Sequence, residues 1–315
     1  MGQRANYIII EDEIQVIHYN HWRANSIASD LFLGEKRFIE FVKDCKIDSE
    51  IMNDPWIEGC VIINIKKKQL HFWSFEFGQT SVVDIYLKEL QSKWTDWNLN
   101  LLYNRMYDVQ KILNIDYVSK QEIQNIHNYT KEEIINDKVT EWSTSLIIVK
   151  NVNQLFATKT ESLSLEAILK FGNKVVELLL DKPKYELPRE EDDEVYNCMV
   201  IDIENKIIVV GKSEYGLLEQ ALEDWKGYEF KIGDFGYIGT LKIANIDTAK
   251  ISMSLDKAKI EFKNMIEQHS DFDPQNFADR ILTENSDVKF NPDFFNNVKP
   301  KKNLFEKIKV IIGLK

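Results

Sequence analysis

The chain has 315 residues, of which 44% are hydrophobic and 11% aromatic, and its formal net charge at pH 7 is −11. These values are typical of a globular protein large enough for two domains, and the negative charge argues against a general nucleic-acid-binding protein. No apolar run reaches the roughly 20 residues that span a bilayer, and the first residues lack an apolar signal-peptide core. We therefore expect a cytoplasmic protein without a transmembrane segment.

The chain begins with the pattern of a β-hairpin followed by a helix. Residues 7–10 and 14–19 are short runs rich in β-branched and aromatic residues, and three acidic residues separate them. The helix is predicted by apolar residues at spacings of three and four, namely Phe38, Phe41, Val42 and Cys45. Such a helix places one apolar face against a core.

A second predicted hairpin, residues 60–73, has a counterpart at residues 198–211. The offset of 198 − 60 = 138 extends upstream, and beyond the hairpin it becomes 225 − 94 = 131, which matches Trp94 with Trp225. These offsets predict two tandem duplicated modules. Each is expected to follow the order ββαββαβα and to form an antiparallel sheet with packed helices, which is an α+β fold.

The duplication divides the chain into three segments. Residues 1–143 are the first module with a helical connector, in which Thr130 and Glu133 fit a capping box. Residues 144–269 are a second, degenerate module. Residues 270–315 are predicted to be a loosely ordered arm that closes with a basic helix over 303–312.

The two copies differ most where the first hairpin leads into a helix. Residues 18–25 hold two histidines, a tryptophan and an arginine, and their predicted counterpart, residues 156–163, has none of these. Loops between secondary-structure elements often hold binding groups, so the first module is predicted to carry the function. The candidate binding residues are Arg4, Asn6, His18, His21, Trp22, Arg23, Asn25, Glu58 and Arg105. We expect this polar set to form one patch or cleft.

The motifs of common enzymes and metal sites are missing from the sequence. It contains no HExxH, no CxxC, no Walker loop and no GxSxG, so no metal and no cofactor is predicted. Acid–base chemistry at His21, with Arg4 or Arg105 holding an anion, is one interpretation. The other is a packed, hydrogen-bonded corner around His21 and Trp22. The three cysteines, Cys45, Cys60 and Cys198, are predicted to be buried, reduced thiols.

The first 120 or so residues resemble a family of uncharacterised bacterial proteins. The resemblance rests on the MGxRANY start at residues 1–7, the Tyr-x-His-Trp step at residues 19–22 and the segment at residues 30–34. The steps at residues 56–60 and 94–97 also resemble that family. It supplies no catalytic residues, because no activity is established for it, but it implies that the His-Trp stretch matters.

Three functions fit these features. The first is a non-enzymatic binding protein, such as an immunity or antitoxin-type protein, whose acidic surface neutralises a basic protein partner. The alternative is an enzyme that acts on an anionic small molecule through the His-Trp-Arg stretch. The third is a scaffold or membrane-peripheral protein in which the lysine-rich residues 299–315 contact a membrane surface. We prefer that this basic tail packs on its own protein.

Overall fold

The structure, a computed structural model, describes residues 3–53, 56–115, 129–137, 139, 144–152, 154–161, 165–192, 195–211, 224–233, 236–267 and 272–301. The chain forms two compact units. Unit 1 comprises Met1–Phe77, Tyr86–Leu101 and Phe262–Lys315, and unit 2 comprises Gly78–Ile85 and Leu102–Glu261. The predicted boundaries at 143/144 and 269/270 stay predictions.

Unit 1 is built on a six-stranded mixed sheet. Its strands are β1 (Ala5–Glu11), β2 (Ile14–Asn20), β3 (Lys46–Asp48), β4 (Gly59–Asn64), β5 (Gln69–Ser74) and β6 (Asn98–Leu101). Their order across the sheet is β3-β2-β1-β4-β5-β6. The β1–β2 and β4–β5 hairpins are antiparallel, whereas β1 is parallel to β4 and β5 is parallel to β6.

Unit 2 contains a five-stranded mixed sheet. Its strands are β7 (Thr144–Asn151), β8 (Gln154–Thr160), β9 (Val195–Asp202), β10 (Ile207–Val210) and β11 (Glu229–Ile232). The order is β11-β10-β9-β7-β8. Two antiparallel hairpins are again joined by a parallel pair, β7 with β9, and a parallel strand, β11, completes one edge.

Ten α-helices are present among the described residues. They are α1 (Ile27–Leu31), α2 (Glu35–Asp44), α3 (Thr80–Gln91), α4 (Met106–Leu113), α5 (Lys131–Asn136), α6 (Leu165–Leu169), α7 (Lys174–Leu180), α8 (Gly236–Ile243), α9 (Leu255–Glu267) and α10 (Pro274–Glu284). The predicted face of α2 is confirmed, because Phe38, Phe41 and Val42 are buried. The predicted capping box of Thr130 and Glu133 begins α5.

The α+β class is confirmed, but the prediction of antiparallel sheets is wrong. Each hairpin is antiparallel, and the error concerns how the hairpins join. The chain leaves β2, passes through α1 and α2, adds β3 antiparallel to β2 at the sheet edge, and continues into β4, which pairs in parallel with β1. A connection of this length allows the returning strand to pair in parallel, which a tight turn cannot do. Both sheets are therefore mixed.

Strand pairing gives the offsets between the two sheets directly. In the second hairpins, Ile63 pairs with Leu70 and Ile201 pairs with Ile208, an offset of 201 − 63 = 138. In the first hairpins, the last pairs before the turns are Glu11 with Ile14 and Asn151 with Gln154, an offset of 151 − 11 = 140. The turns of the first hairpins are thus offset by two residues more than the predicted 138. Measured from its turn, position 18 lies at the strand position of Thr158 and not at that of Phe156.

In each unit, a buried tryptophan is hydrogen-bonded to the end of a short helix. In unit 1 the indole Nε1 of Trp94 donates to the carbonyl oxygen of Leu31 at 2.8 Å. In unit 2 the indole Nε1 of Trp225 donates to the carbonyl oxygen of Leu169 at 2.7 Å. Both indoles are at most 1% exposed, so each buried indole donor is satisfied by a carbonyl at the end of a short helix. The same carbonyls also accept from the backbone amides of Gly34 and Gly172.

The C-terminal arm is more ordered than predicted. Helix α10 begins after Asp273, whose carboxylate accepts from the backbone amides of Gln275 and Asn276, and Pro274 occupies its first turn. An acidic cap followed by proline is a helix-start signal that the composition of the arm concealed. The predicted helix over 303–312 lies outside the described residues. The three cysteines are free and buried, as predicted.

Candidate functional site

The residues around His21 form a corner where β2 ends and the chain turns toward α1. The side-chain oxygen of Asn20 accepts from the backbone amide of Trp22 at 3.1 Å, which closes the turn. Trp22 is 5% exposed, and the ring of His21 stacks at a tilt against it with centroids 4.7 Å apart. We call residues 19–22 the His-Trp corner.

The C-terminal arm covers this corner with aromatic side chains. The indole Nε1 of Trp22 donates to the carbonyl oxygen of Phe294 at 2.6 Å. The Trp22 ring lies 4.1 Å from the ring of Phe272 and meets Phe294 edge-on at 5.2 Å. Aromatic pairs at such separations add about 0.5–1.5 kcal/mol each to the burial of their area. The tryptophan therefore anchors the arm.

Backbone contacts continue the docking of the arm along the corner. The amide of His21 donates to the carbonyl oxygen of Asn296 at 3.3 Å. The side chain of Asn296 donates to the carbonyl oxygen of Tyr19 at 3.2 Å, and Asn20 donates to the carbonyl oxygen of Val298 at 2.7 Å. The polar atoms that marked this stretch as a candidate site are therefore largely engaged by the protein's own arm.

His21 is a neutral imidazole at pH 7. Burial and the nearby positive charge of Arg4, partly opposed by Asp293, lower the pKa of His21 from the usual 6.5 to about 4. Its Nδ1 lies 2.7 Å from the hydroxyl of Tyr19, whose own pKa is raised by burial. The tautomer of the imidazole sets the direction of this hydrogen bond, since either the hydroxyl or a protonated Nδ1 can donate.

Arg23 is a structural residue of the unit 1 core. Its guanidinium forms a bidentate pair with the carboxylate of Asp30, and the two side chains are 4% and 3% exposed. The guanidinium also lies 6.0 Å from the ring of Phe41. A buried charge is tolerated because the pairing is bidentate and internal, so Arg23 is not available to an outside ligand.

Asn6 and His18 likewise form hydrogen bonds within unit 1. The amide of Asn6 donates to the carbonyl oxygen of His18 at 3.2 Å and accepts from the backbone of Met52 at 2.8 Å. This joins the first hairpin to the loop before β4. Nδ1 of His18 lies 3.3 Å from the carbonyl oxygen of Cys45, and burial lowers the pKa of His18. Both side chains therefore have structural roles, since they hydrogen-bond within unit 1.

Arg4 and Glu58 form a partly exposed pair at the rim of the corner. The backbone amide of Arg4 donates to the Glu58 carboxylate at 2.8 Å, and the side chains approach to 4.0 Å. The guanidinium lies 5.1 Å from the ring of Trp56, which is 58% exposed. Asn25 is half-buried in a short 3₁₀ turn before α1.

The last predicted site residue, Arg105, belongs to unit 2. It precedes α4 with a positive φ of 50°, and its guanidinium lies 5.7 Å from the ring of Tyr196 in the same unit. The structure therefore gathers Arg4, His21, Trp22 and Glu58 in unit 1. The grouping with Arg105 stays a prediction.

An apolar groove that was not predicted from the sequence lies at the tip of the first hairpin. Its volume is about 470 Å³, and it is lined by Ile9, Glu11, Asp12, Ile14, Val16, His18, Lys43 and Ile47. The strand pairs Ile9 with Val16 and His18 with Ile47 place these side chains on one face of the sheet. We call this feature the hairpin-tip groove.

The groove exists because α2 covers only part of that face. The helix has ten residues, about 15 Å, and it packs on Tyr7 through Phe38 and Phe41. The part of the face toward the hairpin tip is left uncovered, and Ile14 and Ile47 are each 67% exposed. The alternation of Ile14 and Val16 predicts that they share one face of the strand, but it does not indicate whether that face is covered.

Acidic residues border the outer end of the groove. Glu11 and Asp12 line it, and Glu13 follows in the exposed turn. Lys43 lines the opposite end, and Asp12 has an exposed ion pair with Lys66 at 3.4 Å. A pair this exposed contributes little and competes weakly with another cation. The groove thus combines an apolar floor with an acidic rim.

The matching hairpin of unit 2 has different chemistry at its tip. At the offset of 140, Glu11 corresponds to Asn151, Asp12 to Val152 and Ile14 to Gln154. The acids and the exposed isoleucine of unit 1 are therefore absent from the corresponding positions of unit 2.

Comparison of the chain with family models, with curated proteins and with solved structures finds no match. Among the described residues, no group of three or more histidine, cysteine, aspartate or glutamate side chains is placed to hold a metal ion. None of the helices in the described part is long and apolar enough to cross a membrane.

Proposed function

We propose that this chain is a non-enzymatic binding protein of the immunity or antitoxin type, and that it binds a basic protein partner through the hairpin-tip groove. The observation that carries the proposal is the groove of unit 1, in which exposed isoleucines lie beside acidic side chains. A partner segment with apolar residues on one face and lysine or arginine beside them fits this chemistry.

The turn of the hairpin supports this assignment. Asp12 and Glu13 both have positive φ angles, 47° and 69°. Two-residue hairpin turns of this kind favour Asn-Gly and Asp-Gly, so Asp12 is usual at the first position and Glu13 replaces the favoured glycine at the second. A glutamate held at positive φ is consistent with a role for its charge.

The internal contacts of the other candidate residues also favour the hairpin tip as the binding surface. Arg23 is paired inside the core, and Asn6 and His18 join secondary-structure elements of unit 1. Trp22 and the His21 backbone hold the C-terminal arm. The His-Trp corner therefore supports the structure of unit 1, and the exposed, chemically distinctive surface lies at the hairpin tip.

We infer that the two units are a tandem duplication in which unit 2 has lost the binding surface. Support comes from five strands of each sheet that share order and direction, and from the matched Trp94–Leu31 and Trp225–Leu169 hydrogen bonds. Under this proposal the shared features are architectural. The differences at the hairpin tips then mark the function of unit 1.

The proposal is tested with a helical peptide of leucine and lysine and a matched peptide of leucine and glutamate. Fluorescence anisotropy with the full chain should detect binding of the basic peptide that weakens as salt is raised, because its charge attraction is screened. Ile14→Lys should weaken that binding about tenfold, since it removes one buried aliphatic contact.

The matched control is Val152→Lys at the tip of the unit 2 hairpin, where the side chain is 64% exposed. It adds the same charge and should leave the affinity unchanged. Equal binding of both peptides, or equal effects of Ile14→Lys and Val152→Lys, would overturn the proposal.

A second candidate function is an enzyme that acts on an anionic small molecule. The observation that favours it is the Tyr19–His21 hydrogen bond beside Arg4, together with the lowered pKa of His21, since perturbed pKa values cluster at functional sites. Thermal-shift measurements with phosphorylated and carboxylated metabolites distinguish the two functions. A stabilisation that Arg4→Ala removes would favour the enzyme, and no shift with any of them favours the binding protein.

A further inference from the structure

The described chain ends beside the hairpin-tip groove. Nζ of Lys301 lies 2.8 Å from the carboxylate of Asp44, and the carbonyl oxygen of Lys301 accepts from the guanidinium of Arg37 at 3.0 Å. Asp44 is the last residue of α2, and its neighbour Lys43 lines the groove. Whatever follows Lys301 therefore starts next to the groove.

The sequence after Lys301 combines apolar and basic residues that would suit the groove. Residues 302–315 contain four lysines and one glutamate. The apolar residues Leu304, Ile308 and Ile311 recur at spacings of four and three, and at these spacings they share one face of a helix. An apolar face flanked by lysines complements an apolar floor bordered by Glu11 and Asp12.

We propose that residues 303–312 occupy the hairpin-tip groove of their own chain and compete there with the basic partner. The inference rests on the proposed function for the identity of the competing ligand. A segment tethered beside its site binds at a high effective concentration, so the partner has to displace it. The tail is then an intramolecular competitor that sets the affinity for the partner.

Contacts of the C-terminal arm before Lys301 determine where the tail begins. Lys46 of β3 pairs with Asp293 at 2.6 Å, and the Trp22 side chain binds the Phe294 carbonyl. These contacts lead the arm along the β2 and β3 edge of unit 1. The chain then reaches Asp44, the last residue of α2, three residues before the exposed Ile47.

Disulfide trapping tests the docking in the full chain. Ile47→Cys is combined in turn with Leu304→Cys, Ile308→Cys or Ile311→Cys. The three native cysteines should not react under mild oxidation, because all of them are buried. Mild oxidation should form an intramolecular disulfide in at least one pair. The control replaces Ile47→Cys with Val152→Cys and should form none. The inference is overturned if no pair reacts or if the control pairs react equally.

Peptide binding separates this inference from the proposed function. Ile308→Lys in the full chain should tighten binding of the leucine–lysine peptide about tenfold, because the competitor loses its apolar contact. If the peptide binds but the substitution has no effect, the inference fails and the proposed function stands. If the disulfide forms but the peptide never binds, the proposed function fails alone.

A membrane-binding tail is the competing outcome. Vesicles of phosphatidylserine and phosphatidylcholine are the probe, and flotation with the full chain is the measurement. Binding that Ile308→Lys abolishes, without any disulfide to Ile47→Cys, would assign the tail to a lipid surface and overturn the inference.

Discussion

The indole nitrogen of Trp22 donates a hydrogen bond of 2.6 Å to the carbonyl oxygen of Phe294, 272 residues further along the chain. This contact joins the corner after the first hairpin to the C-terminal arm within unit 1. It also explains why an aromatic, polar stretch resembles a binding site in sequence. Its ligand is a segment of the same chain.

Loss of this hydrogen bond is expected to loosen the arm. Trp22→Phe keeps an aromatic ring but leaves the Phe294 carbonyl without its donor, which destabilises by about 1–2 kcal/mol. Urea unfolding measures the loss. Trp56→Phe is the control, because that indole is 58% exposed and its change should stay within about 0.5 kcal/mol. Equal losses for the two variants would contradict the anchoring role of Trp22.

The buried pair of Arg23 and Asp30 predicts a larger effect. Asp30→Asn leaves a guanidinium charge in the core without its carboxylate, and removal of one partner from a buried pair destabilises by about 3–5 kcal/mol. Asp12→Asn is the matched control, since its pair with Lys66 is more than three-quarters exposed. Denaturant unfolding should separate the two variants clearly. A loss below about 1 kcal/mol for Asp30→Asn would mean that the pair is accessible to water.

The depressed pKa of His21 predicts a pH dependence of stability. The unfolded state binds a proton near pH 6.5, whereas the folded state binds it only near pH 4, so acidification between these values favours unfolding. The stability contribution is complete above pH 6.5 and is lost as the pH falls to about 4. For a partly exposed imidazole we expect about 1–3 kcal/mol.

The measurement compares the free energy of unfolding at pH 7 and pH 4.5 for the native chain and for His21→Gln. The difference between the two proteins isolates His21 from His18, whose pKa is also lowered by burial. The variant should lose less stability on acidification than the native chain. Identical losses would show that His21 does not contribute to the pH dependence.

The thiols are expected to react only after unfolding. Burial raises the pKa of Cys45 to about 12 and raises the pKa values of Cys60 and Cys198 still further, so the reactive thiolate is scarce in the folded protein. A colorimetric thiol reagent should label none of the three rapidly at pH 8 and all three in denaturant. Rapid labelling of any one in the folded protein would contradict its buried position.

Local periodicity was sufficient to predict most elements of the fold. The spacing of Phe38, Phe41 and Val42 predicts α2, and the sequence of the second hairpins predicts β4, β5, β9 and β10. The parallel pairing of β1 with β4 was missed because it depends on the path of a crossover. Strand periodicity reports which face is buried and contains no information on the direction of a distant neighbour.

The candidate site was harder to predict for a related reason. His18, Trp22 and Arg23 are residue types that serve binding sites and buried hydrogen-bonded corners equally well, and only their partners distinguish the two. Those partners are Cys45, Phe294 and Asp30, and two of them are distant in sequence. The groove could not be predicted from the sequence because its exposure depends on how much of the sheet face α2 covers, which is a tertiary relationship.

The most direct test of the account is isoleucine methyl NMR of the full chain during titration with the leucine–lysine peptide. The δ1 methyl resonances of Ile9, Ile14 and Ile47 report on the groove, and those of Ile147 and Ile201 report on the unit 2 core. We predict shifts confined to the first group and absent with Ile14→Lys. Shifts at Ile147 or Ile201 with the groove methyls unchanged would show that the partner surface lies elsewhere.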